Sequence, residues 1–388
     1  MKGDLVLSLG MFDRARDAQK LRAHPMSGWL TPVHDPLPEI RSAKRLVWCG
    51  IGGSLLPTRA IVAAFASAEE RERFVALGSS EPNGYELAVD DQLVFASKSG
   101  KTLELWTWIS RLSANPAFAR LVRKPIVVTQ DDENPLARWA RARNYPIVPI
   151  PVAVGGRFSA FTGIGTLPLA WLGRDVDAYV EGGIAVASAL ESGAHPMLAN
   201  VDELGSTWLR EASNGITEWV FIPYLQRLAM VSDFWVQLVA ESLGKEGPDG
   251  RRHGFTPLRG VGPDDQHAQL QRWMAGPRNV GVLVLSSGMR TKEVLVPPTE
   301  CPFVGLERLD GTEIVAAQAL GTIDALRGAN VPTLHFRVDE VTERSLGELI
   351  MGLHVVVGLT GMAMGIDPFD QPAVEDGKKR TLARLGLV

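Results

Sequence analysis

Short apolar runs rich in β-branched residues alternate with longer segments of helical spacing along the first part of this chain. The run at 45–49 is followed by a glycine-rich turn and by the apolar, helix-like segment 55–66. Similar runs return at 92–96, 125–128 and 145–150, and most of them lead through a turn into a helical segment. Because parallel strands need crossover connections, which are usually helices, this alternation predicts a parallel sheet flanked by helices.

The same alternation resumes in the second part of the chain. Strand-like runs lie at 218–222, 280–285 and 333–338, and helical segments such as 225–243 and 313–327 separate them. This pattern predicts a second parallel sheet, similar in plan to the first.

A helical stretch separates the two sets of strands and suggests how the chain is divided. Residues 162–213 have helical spacing throughout and contain no convincing strand, as expected for helices that bridge two domains. With 388 residues, the chain is long enough for two α/β domains of ordinary size. We expect an N-terminal arm at 1–40, a first domain at 41–185 and a second domain at 186–388 that ends in a helix.

Charge and cysteine content restrict the class of protein. The formal net charge is −4 and Lys and Arg are scattered, which predicts no basic face for nucleic acid or for an anionic membrane. The two cysteines, Cys49 and Cys301, have neither disulfide nor zinc spacing, which favours a reducing cytoplasm. The apolar stretch 351–364 is interrupted by His354 and two glycines, so we interpret it as a buried helix rather than a membrane span.

Two polar turns follow predicted strands and precede predicted helices, where free backbone N–H groups can bind a phosphate. The first turn is 50–54 (GIGGS) and the second is 97–102 (SKSGKT). Glycine-rich turns also serve purely steric purposes, and Ser or Thr can simply cap a helix. The repetition of the arrangement nevertheless favours a phosphate site.

Two charged groups stand out for their local setting. In 155–159 (GGRFS), paired glycines would let Arg157 project into a cleft, although a surface salt bridge is the commoner role for a single arginine. In 241–245 (ESLGK), Gly244 can serve as the C-cap of the preceding helix. Glu241 then opposes the helix dipole, and such a local violation often marks a functional site.

Two further polar segments complete the set of candidates. In 264–267 (DDQH), Asp264 is a plausible N-cap of a helix that continues over 268–274, and His267 lies in its first turn, although a single histidine is more often structural. The segment 368–379 (PFDQPAVEDGKK) enters a last helix, which could also be a merely exposed, lysine-rich terminal helix.

Taken in this order, the six segments resemble those of the phosphoglucose isomerase family, over about residues 46–379. The most specific matches are the strings GGRFS, ESLGK, DQH and DQPAVE. The resemblance implies two sugar isomerase (SIS) domains, each a doubly wound, flavodoxin-like parallel sheet flanked by helices. It also implies interconversion of glucose 6-phosphate and fructose 6-phosphate through a cis-enediol, without a cofactor or a metal.

The resemblance implies a role for each matched residue. Glu241 would be the base that moves a proton between C1 and C2, and Arg157 the positive charge beside the enediolate oxygen. His267 and Lys378 would open the sugar ring, with His267 contributed by a partner subunit, so that a homodimer is expected. The implied substrate-binding residues are Gly52, Gly53, Ser54, Ser97, Lys98, Ser99, Thr102, Gly156, Gln237 and Gln371.

Three positions depart from the family pattern. Lys101 stands where relatives usually have a threonine, Ala268 where a serine is common, and Ala373 where a glycine follows the Asp-Gln pair. These departures put phosphate affinity in question more than the chemistry. The sequence does not decide whether Lys101 adds positive charge toward the phosphate or points to solvent.

Two other functions stay open. A dual phosphoglucose and phosphomannose isomerase would share the machinery, although Gln371 argues mildly against it because relatives of dual specificity tend to have a threonine near that amide. A non-catalytic sugar-phosphate sensor built on SIS domains would need the phosphate-binding turns but not Glu241, His267 and Lys378.

Overall fold

The structure is a computed structural model that describes residues 12–33, 36–82, 84–247, 250–291 and 293–387. Its strands are β1 (Arg45–Cys49), β2 (Phe74–Leu77), β3 (Asp91–Ala96), β4 (Ile126–Thr129), β5 (Ile147–Pro149), β6 (Glu218–Pro223), β7 (Thr256–Arg259), β8 (Val280–Ser287) and β9 (Thr333–Val338). Its α-helices are α1 (Arg14–Ala23), α2 (Leu56–Phe65), α3 (Ala68–Glu72), α4 (Leu103–Ala114), α5 (Pro135–Arg141), α6 (Gly163–Trp171), α7 (Val176–Ser188), α8 (Pro196–Ser213), α9 (Ala229–Leu243), α10 (Asp264–Ala268), α11 (Leu270–Ala275), α12 (Gly311–Gly328), α13 (Glu343–Ala363) and α14 (Pro372–Leu385).

Two parallel sheets organise these elements. The first has the strand order β2-β1-β3-β4-β5 and the second has the order β7-β6-β8-β9. Every pairing in both sheets is parallel, so the predicted pair of parallel sheets is confirmed. β3 and β8 are buried at every residue, which is why their apolar runs are continuous enough to be recognised in the sequence.

The sequence prediction missed β2 and β7, the outer strand of each sheet on the same side. β2 is only partly buried before Leu77, and β7 contains Pro257 between exposed or half-buried residues. Each strand has one paired neighbour, β1 and β6 respectively. Proline is tolerated on such edge strands, but in β7 it interrupts the apolar pattern that identifies a central strand. β2 does have an apolar run, FVAL, but that run is only four residues long.

A layer of helices connects the two sheets through one hydrophobic core. α6, α7 and α8 occupy the stretch 162–213 that the sequence predicted to be helical, and α13 packs against α7, α8 and α9. The core includes Trp48 of the first sheet, Phe221 of the second, and Leu21 of α1. The segment that contains α1 is therefore packed into the same core.

α13 is a core helix, as the sequence predicted for 351–364. By length and composition it could cross a membrane, but 83% of its most apolar window is buried inside the protein. His354, near its middle, has no exposed surface. This burial is the arrangement found in the core helix of a soluble protein.

The helix that contains His267 differs from its prediction. Asp264 is the first residue of α10 rather than its N-cap, and Pro263 occupies the N-cap position without a side-chain cap. The Asp264 carboxylate accepts a hydrogen bond from the Gln226 side chain. The helix predicted to continue over 268–274 is divided into α10 and α11. By contrast, Gly244 is the C-cap of α9, as predicted.

Candidate active site

A cavity of about 790 Å³ lies at the carboxyl edge of the first sheet. Its walls are the turns after β1 and β3, the turn at 155–157, the last turns of α9 and one face along most of α14. Ligands of doubly wound proteins bind outside the carboxyl ends of the strands, so this cavity is the candidate active site. The predicted residues on its wall are Gly52, Gly53, Ser54, Ser97, Lys98, Ser99, Thr102, Gly156, Arg157, Gln237, Glu241, Gln371 and Lys378.

The turn after β1 brings three segments unusually close together. Gly52 has φ of +56°, and a Cβ atom on it would lie 2.7 Å from the amide nitrogen of Gln237. A Cβ atom on Gly53 would lie 2.4 Å from the carbonyl oxygen of Gly156. Larger side chains at either glycine would push α9 or the 155–157 turn away, so the two glycines set the width of the cavity.

The turn after β3 is held by its own hydroxyl groups. The Ser97 hydroxyl lies 2.8 Å from the Thr102 hydroxyl and accepts a hydrogen bond from the N–H of Gly100 at 3.2 Å. Thr102 is at the N-cap position of α4, but its side chain makes no capping hydrogen bond to that helix. The simple capping role considered for Thr102 is therefore not observed, and the first turn of α4 faces the cavity without a side-chain cap.

The two lysines of this turn are placed differently. The Lys98 ammonium donates to the carbonyl of Val152 at 2.9 Å, and burial lowers the pKa of Lys98 while the carboxylate of Asp132 opposes the shift. Lys101 also lines the cavity, but it is an exposed residue. Lys98 is therefore the more fixed of these two positive charges.

Arg157 is almost fully buried, with 4% of its surface exposed, and its guanidinium has partners on every side. It donates to the hydroxyl of Ser242 at 2.8 Å, to the side-chain oxygen of Gln371 at 2.8 Å, and to the main-chain carbonyls of Pro368 at 2.6 Å and Asp370 at 2.9 Å. Burial lowers the pKa of Arg157, and nearby carboxylates oppose this shift. The geometry excludes a surface salt bridge and presents a fixed positive charge at the cavity wall.

Glu241 lies on the last turns of α9 and contacts Arg157. Its Oε2 atom is 3.5 Å from the Arg157 Nη1 atom, and its Oε1 atom accepts a hydrogen bond from the Gln237 amide at 3.1 Å. The Glu241 side chain is 28% exposed, so a ligand in the cavity can reach it. The amide oxygen of Gln237 is buried and has no hydrogen-bond partner among the described residues, which leaves an acceptor for a ligand hydroxyl.

α14 covers one side of the cavity. Lys378 pairs with Glu375 at 2.7 Å and is more than half exposed. Several lining residues were not predicted from the sequence, although the three- and four-residue spacing of the positions on α14 would have indicated one helical face. The unpredicted residues include Met26, Phe369, Val374, Thr381 and Leu382.

His267 is the predicted site residue that lies outside this cavity. It is exposed on α10, which follows β7 at the carboxyl edge of the second sheet. α9 begins near that edge and carries Glu241 about 18 Å further along its axis, at 1.5 Å per residue. Within one chain, His267 and Glu241 are therefore at opposite ends of α9.

Residues 12–33, 36–82, 84–247, 250–291 and 293–387 include no group of three or more His, Cys, Asp or Glu side chains arranged to hold a metal ion. A reaction without a metal remains a prediction from the sequence.

Comparisons with known proteins identify relatives that share one name. No protein-family model matches the chain. A glucose-6-phosphate isomerase from Thermus thermophilus is 33% identical over 384 residues, which cover 93% of this chain and 90% of that protein. A probable glucose-6-phosphate isomerase from Haloarcula marismortui is 33% identical over 366 residues, which cover 91% of this chain and 80% of that protein.

Solved structures show the same fold. A hypothetical protein from Thermus thermophilus superposes with a TM-score of 0.82 at 31% identity, over 96% of this chain and 94% of that chain. A glucose-6-phosphate isomerase from Chlamydia trachomatis superposes with a TM-score of 0.74 at 19% identity, over 96% of this chain and 73% of that chain. The second likeness shows the fold alone.

Proposed function

This chain belongs to the glucose-6-phosphate isomerase family, and we infer that it is an aldose–ketose isomerase that interconverts glucose 6-phosphate and fructose 6-phosphate. One observation carries the assignment of its active site. The Glu241 carboxylate lies beside the Arg157 guanidinium in a cavity that is also lined by both predicted phosphate-binding turns. A base, a fixed positive charge and an anion site are the groups that this reaction requires.

We propose that the turns after β1 and β3 bind the substrate phosphate. Ser54, Ser97 and Thr102 offer hydroxyl groups, and the uncapped first turn of α4 offers main-chain N–H groups with the positive end of a helix dipole. Lys98 adds a positive charge that its bond to Val152 holds in place. An anchored phosphate fixes the position of the sugar carbons relative to Glu241.

We propose that Glu241 transfers the proton. In the forward direction its carboxylate takes the proton from C2 of the open-chain aldose, the C2–H electron pair forms a C1=C2 double bond, and the carbonyl electron pair moves to O1 to give a cis-enediolate. A proton passes from the O2 hydroxyl to O1. As the C2=O bond then forms, the protonated Glu241 returns its proton to C1, which produces the ketose. Arg157 would stabilise the enediolate, because a positive charge that is itself almost fully buried and fixed in place acts strongly on a negative charge that develops beside it.

We propose that ring opening uses Lys378 and the His267 of a partner subunit, in a homodimer. Lys378 lies on the cavity wall, whereas His267 is exposed and lies at the far end of α9. A second copy related by a twofold axis could present the carboxyl edge of its second sheet to this cavity. We also propose a cytoplasmic location, and domain limits near residues 40 and 185.

A coupled assay tests this function. The purified protein should convert fructose 6-phosphate to glucose 6-phosphate, with a kcat/KM for mannose 6-phosphate below about one hundredth of that value. Comparable rates with both substrates would identify a dual phosphoglucose and phosphomannose isomerase. Sugar-phosphate binding without turnover would identify a sensor and would contradict the proposal.

A further inference from the structure

Lys245 is a partly buried cation that the proposed reaction does not use. It follows the C-cap Gly244 of α9, and its side chain is 10% exposed. Its ammonium donates to the main-chain carbonyls of Asp367 and Asp370, the latter at 2.6 Å, and contacts the Asp370 carboxylate at 2.5 Å. Lys245 faces a neighbouring cavity of about 640 Å³ rather than the candidate active site.

The segment that Lys245 binds is also bound by Arg157 from the side of the active site. The carbonyl oxygen of Asp370 accepts hydrogen bonds from both cations, at 2.6 Å from Lys245 and 2.9 Å from Arg157. Arg157 also binds the carbonyl of Pro368 and the side chain of Gln371. Residues 367–371 are thus held between two positive charges through main-chain carbonyl groups.

This arrangement is unusual in its electrostatics. Burial lowers the pKa of Lys245, the Asp370 carboxylate opposes that shift, and the charge of Arg157 adds to it. Two cations that share one carbonyl repel each other and lose hydration, which is unfavourable unless several acceptors surround them. The main-chain carbonyls of Asp367, Pro368 and Asp370 supply those acceptors, so the segment stabilises both cations and is held by them.

The position of this segment determines the position of α14. None of the residues of α14 is buried, so packing along its length cannot fix it firmly. Its entrance is anchored by the ring of Phe369, 5.0 Å from that of Phe158, and by the bonds to Lys245 and Arg157. Gln371 at the start of α14 and Lys378 about two turns later both line the active site.

We propose that Lys245 is a positioning residue for the isomerisation. By holding the carbonyls of Asp367 and Asp370 together with the Asp370 carboxylate, it places Gln371 against Arg157 and holds α14, and with it Lys378, over the bound sugar. The phosphate-binding turns belong to other elements and do not depend on this contact. This inference rests on the proposed function, because the groups that it places are those of the proposed site.

The test replaces Lys245 by a neutral side chain of similar length. Lys245→Met should lower kcat by about 10- to 100-fold with little change in KM, because misplaced groups weaken the transition state more than phosphate binding. Its affinity for a five-carbon aldonic acid 5-phosphate, whose carboxylate imitates the enediolate, should fall by a similar factor. Its affinity for inorganic phosphate should stay within about twofold.

Two further variants make the result decisive. Asp370→Asn, which keeps the main-chain carbonyl, should show the same pattern with a smaller loss, and it answers the question if Lys245→Met fails to fold. Lys44→Met removes an exposed lysine, 73% accessible and distant from the site, and should match the unmodified protein.

Three results would overturn the proposal. The first is a kcat of Lys245→Met within about twofold of the unmodified protein. The second is a parallel loss of inorganic phosphate affinity and thermal midpoint, which would show a general structural role. The third is an Asp370→Asn variant with unchanged analogue affinity. Failure of the unmodified protein to isomerise would instead contradict the proposed function. The affinities for the aldonic acid phosphate and for inorganic phosphate would still test the role of Lys245.

Discussion

The turns at the carboxyl ends of the strands have the same topology in the two sheets but contain different side chains. The turns after β1 and β3 form the first edge, and the turns after β6, β7 and β8 form the second edge. In the first sheet, the turn after β1 contains Gly52 and Gly53, which leave space beside Gln237. In the second sheet, the equivalent turn after β6 begins with Tyr224. The side chain of Tyr224 is buried, and its hydroxyl donates to the Thr322 hydroxyl at 2.7 Å. A doubly wound sheet therefore provides a place for a ligand, and the residues of its turns decide whether that place is open.

The turns after β3 and β8 continue this contrast. Ser97 and Ser287 both accept a hydrogen bond from a main-chain N–H a few residues further on, at 3.2 Å and 3.0 Å. Only the first of these turns lines the candidate active site, while Arg227 of the second edge donates to the sulfur of Met289. The second edge would contribute to the proposed reaction through its exposed His267.

The largest expected effect on kcat comes from replacing the carboxylate of Glu241, which lies beside the first edge. Glu241→Gln should lower kcat by about 10³- to 10⁴-fold, because the proton acceptor is lost, while inorganic phosphate binds as before. Steady-state kinetics and calorimetric titration measure the two quantities. Glu246→Gln changes an exposed carboxylate five residues further on and should leave kcat unchanged. Substantial turnover by Glu241→Gln would remove Glu241 from the mechanism.

A smaller effect, on KM, should distinguish the turn that contains Ser97 from the turn that contains Ser287. Ser97→Ala should raise KM about tenfold and lower kcat less, since a hydrogen bond to a charged phosphate contributes about 1.5 kcal/mol. Ser287→Ala makes the same change at the second edge, and both kinetic constants should stay as they are. If Ser97→Ala lowered kcat with KM unchanged, the phosphate would have to bind elsewhere.

The smallest effect concerns stability and the core behind the first edge. His354 is fully buried without a hydrogen-bond partner for its ring nitrogens among the described residues, and burial lowers its pKa to about 3. Below pH 6.5 the unfolded chain binds a proton that the folded chain does not, so the free energy of unfolding should fall by about 1.4 kcal/mol per pH unit down to pH 3. By pH 5 this amounts to about 2 kcal/mol.

Urea unfolding at pH 7 and pH 5 measures this dependence. His354→Leu should remove the His354 contribution, and His335→Asn in the second sheet should remove a smaller one, because burial lowers the pKa of His335 at a site that is only half buried. An unchanged pH dependence in His354→Leu would show that His354 is protonated in the folded state.

Much of the fold could be predicted from the sequence because the central strands carry their signal locally. β1 and β9 were predicted with the bounds that the structure has, β1 because it is a nearly continuous buried apolar run and β9 because buried Leu334, Phe336 and Val338 alternate with more exposed residues. β2 was missed although its four residues, FVAL, are all apolar, and β7 was missed because its sequence, TPLR, contains a proline and two polar residues. The limits of the domains stay predictions, since the core includes residues of both sheets.

The site was predictable where residues act through short motifs. The turns 50–54 and 97–102, with Arg157 and Glu241, converge on one cavity because strand ends and helix ends meet there. The bonds of Lys245 to residues 367–370 could not be predicted, because they join segments more than a hundred positions apart without any local pattern.

The central claim is that the first edge of one chain and the second edge of another form one active site. Mixing subunits of Glu241→Gln with subunits of His267→Ala tests it directly. Each mixed dimer would contain one site with both Glu241 and His267 intact, so equal amounts with random exchange should recover about one quarter of the unmodified activity. Activity no greater than the sum of the two parent variants would contradict the claim.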